Sequence, residues 1–373
     1  VFLACCSSMT ALLFVTSSGG YLGYKQIYSR QGNMTLINAS IELLLPMFSL
    51  FIIGQTVARM ESLAELWELQ MATALTILLG LGFGLWFISY IKPPASIKYT
   101  VAMLITFSNL GNMPILIVEG SCSYFGPLSG YSGCSQMPGY AIACTIAFNI
   151  LVWGISYTLI SKDAQAKTKE RVENFFSAAS DDKTSLMSAT FEEPAAHTKL
   201  GLKQILKNSF CTSVPIGSIG GIVLGCIPGI KEALFDDDAP YRFITNSALT
   251  TGFLAIIFTQ QILGYNIREQ FSQLQDSDSK IIIGVAASKL VIIPLIAQFF
   301  IHFAYQTGMI SFEVAFVSII GAATPPGVAT MAINQFLDVG IEISSVVFLF
   351  LYPMSLLTIP LNCYLFLAMN PHT

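Results

Sequence analysis

Gly321-Ala322-Ala323-Thr324-Pro325-Pro326-Gly327 stands in the middle of an apolar run covering residues 313–336. Two consecutive prolines remove two amide donors and clash with the preceding turn, so a helix cannot pass through them unbroken. The flanking glycines weaken it further. A second interruption, Ser108-Asn109-Leu110-Gly111-Asn112-Met113-Pro114, cuts the apolar run 97–119. Both runs are as apolar as a bilayer interior. Backbone groups freed at that depth are tolerated only against protein or a water-filled cavity. Breaks at corresponding places of two halves of a membrane protein are the best sequence pointer to a transport site.

Working outward, the composition supports the membrane reading. The chain has 373 residues, 54% hydrophobic and 11% charged, against about 25% charged in a soluble domain. Met71–Ile91, Ile281–Phe303 and Val346–Met369 each reach the roughly 20 residues that cross a hydrocarbon core of about 30 Å. Backbone groups in lipid must be satisfied within the segment, so these runs are expected to be helices. The strict alternation of a membrane barrel is absent. Helices are expected at 1–24, 36–57, 68–91, 97–119, 139–161, 211–229, 243–266, 280–304, 313–336 and 344–369. Val1–Tyr24 reads as a first spanning helix rather than a cleaved signal peptide, because the run is long and lacks a basic start. Lys162–Ser209 is the one long polar stretch and is expected to be partly disordered. Its basic end, Lys199–Lys207, is a candidate short interfacial helix. The expected organisation is a first five-helix repeat over 1–161, a cytosolic polar linker over 162–210, and a second five-helix repeat over 211–373.

Charge gives an orientation. Loops after the odd-numbered expected helices carry 14 Lys and Arg, the opposite loops carry three, and Lys289 lies within a helix. Without the central stretch the split is still 6 to 3. Positive-inside then puts the large loop in the cytosol and both termini outside or in a lumen. Five helices per half is an odd number, so the second half enters the membrane inverted. The expected fold class is therefore all-α integral membrane, ten transmembrane helices in two inverted five-helix repeats, with helices 4 and 9 broken and crossing.

Each broken helix offers half-helix N-termini with unpaired N–H groups and partial positive charge, which suits an anion such as a carboxylate. Asn109 and Asn112 add amide donors, and Thr324 and Thr330 add hydroxyls. The competing account is that the asparagines only cap broken ends and that the prolines kink helices for packing. Gly111, Pro114 and Gly327 are expected to shape the crossover, with Pro325 and Pro326 at the binding point. Lys289 is a buried cation costing roughly 2.5–3.5 kcal/mol on insertion scales. It either neutralises carbonyls at a helix end or adds to the field of the anion site. Ser49, Asn149, Gln260 and Gln261 are polar groups for which interhelical hydrogen bonding is the plainer account. Glu42 is read as an interface residue. Cys122 and Cys134 fall in a loop on the lumenal or exterior side, where disulfides persist, and are expected to pair. The sequons at Asn33 and Asn38 fall on the cytosolic side and are read as chance matches.

Composition and motifs exclude several classes. A net charge of −4 without a long basic block gives no reason to expect a nucleic-acid partner. Eight cysteines without a CxxC pair give no zinc site, and no cofactor or metal is expected. HExxH, paired intramembrane aspartates and a Ser/His pair at membrane depth are absent, so the chain is not expected to be an enzyme. No ring of like charges points to a channel.

These same stretches carry a resemblance. Lys92-Pro93-Pro94, Asn109-Leu110-Gly111-Asn112-Met113-Pro114, Asp237-Asp238-Ala239-Pro240, Thr324-Pro325-Pro326-Gly327 and Asn334-Gln335-Phe336-Leu337-Asp338-Val339-Gly340 resemble the PIN-LIKES proteins of the auxin efflux carrier superfamily. The likeness runs from about residue 36 to the C-terminus. It implies an elevator-type carrier of an auxin-like aromatic carboxylate, located in the endoplasmic reticulum rather than the plasma membrane. By motif it implies substrate contacts at Ser49, Asn109 and Asn149, with Asn149 standing where PIN carriers have the longer amide Gln. The expected partners are a small organic anion and the lipid bilayer, with a homodimer as the oligomeric option. The rival expectation is a membrane sensor or scaffold that keeps the carrier fold and signals through its cytosolic loop.

Overall fold

A computed structural model of the chain describes residues 2–60, 63–110, 113–124, 132–181, 202–236, 238–270 and 279–370. Among them all regular structure is helical, apart from one isolated antiparallel bridge between Ser108 and Pro326. The first helices are Phe2–Tyr24 (α1), Arg30–Ala39 (α2), Leu45–Arg59 (α3), Leu63–Ile91 (α4), Lys98–Thr106 (α5) and Met113–Tyr124 (α6). Met137–Ala143 (α7), Thr145–Leu151 (α8), Tyr157–Asp181 (α9), Leu202–Cys211 (α10), Ser213–Cys226 (α11) and the single turn Pro228–Ile230 (α12) follow. The chain then forms Arg242–Gln270 (α13), Ser279–Ala287 (α14), Ile293–Gln306 (α15), Phe312–Ala323 (α16), Val328–Phe336 (α17) and Ile341–Met369 (α18). Six helical stretches are long and apolar enough to cross a membrane, and a pair bent by 60° between α10 and α11 would make a seventh. The two interrupted runs give shorter apolar helices on either side of their breaks.

Local sequence explains the irregularities. Two widened π turns, Ser40–Leu44 and Ser288–Ile292, each run into a proline, Pro46 and Pro294. A proline cannot donate to the turn before it, and a π turn absorbs the mismatch without ending the helix. The expected break in 97–119 falls between α5 and α6, and that in 313–336 between α16 and α17.

One boundary differs from expectation. The helix reaching residue 161 continues to Asp181 instead of giving way to a linker. Residues 162–173 are rich in Ala, Gln, Lys, Glu and Arg, all strong helix formers, and Lys169 and Glu173 pair one turn apart at 3.7 Å. Hydropathy falls there, but helicity does not. The rest of the expected linker, 182–201, lies outside the described residues. The interfacial helix expected at 199–207 is described from Leu202 as α10.

Packing follows small residues. The most extensive helix contacts are α3 with α11 and α1 with α13. Along α11, Gly217, Gly221 and Gly225 meet the backbone of Pro46, Leu50 and Gly54 on α3. A Cβ on Gly221 would lie 2.6 Å from the Leu50 carbonyl oxygen, so only glycine permits this approach. Gly19 and Gly264 meet the α13 and α1 backbones in the same way. Small residues let backbones close in where lipid offers no hydrophobic drive for association. Gln260 and Gln261 serve the same contact: Thr16 Oγ1 donates to Gln260 Oε1 at 3.1 Å, and Gln261 Nε2 donates to Ser18 Oγ at 3.3 Å.

The start of α5 is held from α9. Ile97 caps it without a side-chain bond, and the buried carboxylate of Asp163 accepts the N–H groups of Tyr99 at 3.0 Å and Thr100 at 2.6 Å. This satisfies two orphan donors of a helix N-terminus with the charge its dipole favours. Cys122 and Cys134 are joined by a disulfide. Glu42 accepts from Ser213 Oγ at 2.8 Å in an exposed position. Asn33 of the first sequon is buried, unlike an accessible glycosylation site.

Candidate functional site

The two broken runs cross through their backbones. Asn109 N–H donates to the Pro325 carbonyl at 2.8 Å, and Gly327 N–H donates to the Phe107 carbonyl at 2.9 Å. Each break thus satisfies part of what the other leaves open. Gly327 permits the crossing, since a Cβ there would stand 2.7 Å from the Ser108 carbonyl oxygen. Pro325 and Pro326 act through their carbonyls: the first accepts from Asn109, and the second accepts from the Tyr352 hydroxyl at 3.3 Å. That hydroxyl in turn accepts from Asn109 Nδ2 at 3.0 Å. Tyr352, on α18, therefore clips both breaks together.

Lys289 lies behind the crossing. It is fully buried in its π turn, and its ammonium donates to Ser108 Oγ at 2.7 Å. Among the described residues no ion pair involves it. Its charge reaches the crossing through one hydroxyl of the first break. Pro114 lines a small cavity of about 10 Å³ on that side, shared with Ser108, Thr73 and Ser318.

On the opposite side lies a cavity of about 120 Å³. Ser49 from α3, Asn109 from the first break, Asn149 from α8 and Gln260 from α13 all line it. Val328 and Ala329, the first turn of α17, complete it from the second break. Phe48, Phe148 and Trp153 supply apolar and aromatic walls. Asn149 Nδ2 donates to Ser218 Oγ at 3.0 Å, so this amide is already held by α11. Ser49, Asn109 and Asn149 thus share one cavity, while Lys289, Pro114 and the paired prolines stand behind it or beside it. Asn112 and Gly111 lie outside the described residues. Among the described residues the lining carries no charged side chain. Amide side chains line it, and so does the first turn of α17, the positive end of a helix dipole.

The two broken runs thus cross beside a polar, partly aromatic cavity. The model of the membrane transport protein family matches residues 5–363. The chain belongs to that family, the auxin efflux carriers. PIN-LIKES 3 of Arabidopsis thaliana is 24% identical over 379 residues, covering 95% of this chain and 94% of its own length. PIN-LIKES 4 of the same plant is 24% identical, covering 95% of each chain, and PIN-LIKES 1 is 22% identical over 95% of this chain and 77% of its own. Like the rest of this transporter family, the chain is a multi-pass integral membrane protein, and the family is not one of enzymes.

Two elements of this crossing escaped the sequence reading. Tyr352 sits in a continuous apolar run, and its one signal is a polar-tipped residue directly before an intrahelical proline, Pro353. Ser108 was visible as part of the break, but its role as acceptor for Lys289 depends on how α14 and α15 pack.

Proposed function

We propose that this chain carries a small organic anion, an auxin-like aromatic carboxylate, by alternating access, with the crossing of its two broken runs as the binding centre. The observation that carries the reading is that Asn109 from the first break and the N-terminal turn of α17 from the second line the same cavity. Amide donors and a helix N-terminus suit a carboxylate. The aromatic walls suit a ring.

The wider architecture supports a moving carrier. In two inverted five-helix repeats, the first segment of one half and the second of the other form equivalent pairs. The glycine-lined contacts α1 with α13 and α3 with α11 are such pairs. They fit a fixed scaffold in an elevator mechanism. The cavity is lined by Ser49 and Gln260 from that set and by Asn109, Asn149 and Ala329 from the remainder. A site at such a boundary changes its surroundings when one body slides. In this reading the chain lies in the endoplasmic reticulum, with 182–201 in the cytosol and Cys122–Cys134 in the lumen. The sensor alternative depends on 182–201, and no described residue favours it.

Flux tests the proposal. Proteoliposomes containing the protein should take up labelled indole-3-acetate faster than protein-free vesicles, and Asn109→Ala should reduce the protein-dependent rate at least tenfold. Unaltered flux in Asn109→Ala would remove the site from the crossing.

A further inference from the structure

The cavity of about 120 Å³ is small against the roughly 300–1,000 Å³ of pockets that enclose drug-sized ligands. It holds a polar head but not an apolar body as well. A second cavity of about 710 Å³ shares Phe48, Ile52, Ile115, Ile142, Ile256 and Gln260 with it. This larger cleft runs along α13 from Gln260 to Leu249, which at 1.5 Å per residue is about 16 Å. Its walls are almost wholly apolar. Phe253 and Leu116, which line it, are 51% and 37% exposed, so the cleft opens sideways where hydrocarbon surrounds the protein.

We infer that the head cavity and this cleft form one amphipathic site, open to the bilayer, whose substrates are monocarboxylates with an extended apolar body. The inference rests on the reading of the crossing as an anion site. Continuity with the head cavity names the occupant of the cleft: the tail of the molecule whose carboxylate faces Asn109 and the α17 N-terminus. Charge sets its direction. Among the described residues that line the cleft, the one ionisable group, Glu119, lies beyond Ile115 on α6, at the end away from the shared wall. A carboxylate there meets another carboxyl group, while at the Gln260 end it meets amides and a helix N-terminus. Burial in the cleft strengthens binding from water by about fourfold per methylene, until the tail outgrows it.

Trp153 lines the head cavity and is one of three tryptophans. The other two, Trp67 and Trp86, are exposed. With Trp67→Phe and Trp86→Phe in place, Trp153 emission reports on the head cavity alone. The protein in phosphatidylcholine nanodiscs is titrated with butanoate, octanoate and dodecanoate. The half-saturating concentration should fall at least tenfold from butanoate to octanoate. Ile257→Phe, which narrows the cleft just beyond the head cavity, should erase most of that gain and leave butanoate binding as it was. Leu249→Phe, at the far end, should weaken dodecanoate alone. Equal half-saturation for all three acids would overturn the inference and leave the anion site standing. A chain-length gain unchanged in both variants would also overturn it, because partition into lipid would then account for the gain. No response to any of the three acids would overturn both the cleft and the anion reading.

Discussion

Asn109 is the residue on which the proposed site turns. Its backbone N–H pairs with the second break, its side chain pairs with Tyr352, and its side chain also borders the cavity. Its place in the break was legible, because the glycine and proline that follow it interrupt an apolar run. Its partner Tyr352 was not legible. The hydroxyl acquires its role only when α18 brings it against the Pro326 carbonyl, and nothing local in the sequence encodes that approach. Tyr352→Phe removes both of these bonds while keeping the ring against Phe348, whose centroid is 5.1 Å away. Each such bond contributes about 0.5–1.5 kcal/mol. The variant should therefore lose about 1–2 kcal/mol of stability and bind indole-3-acetate several-fold more weakly, because Asn109 is no longer held in place. Thermal unfolding and equilibrium binding in nanodiscs read the two effects separately. Lys289 is the opposite case. Its burial was evident from its position, but its acceptor, Ser108, was not.

At the scale of elements, the breaks were readable because proline and glycine act on the turn that contains them. The continuation of α9 to Asp181 was missed because hydropathy reports where lipid ends rather than where a helix ends. Helix pairing was hardest to foresee, since a glycine shows that something approaches closely but not what approaches. Two glycines separate the cases. Gly221 faces the Leu50 carbonyl, whereas a Cβ on Gly82 in α4 would meet nothing within 4 Å. Gly221→Ala should destabilise the protein by about 1–3 kcal/mol through overpacking. Gly82→Ala should raise stability by about 0.5–1 kcal/mol, through helix propensity alone. Opposite shifts in unfolding temperature are the expected result. Equal shifts would mean that the α3–α11 contact is not as close as described.

For the whole molecule, the charge count, the two breaks and the odd number of segments expected per half motivate the proposal of a carrier with its site where the halves cross. Family membership places the chain among membrane transport proteins. The location of the solute within it is the central claim, and thiol protection tests it most directly. Ala329 lies in the first turn of α17 and lines the head cavity without contributing a polar group. Ala329→Cys in nanodiscs, treated with a small thiol reagent, is followed by mass spectrometry of the peptide that contains it. The account predicts that indole-3-acetate slows this modification, with half-protection at the concentration that half-saturates binding, and that Asn109→Ala abolishes the protection. Modification at an unchanged rate, with indole-3-acetate at concentrations that saturate its flux, would contradict it.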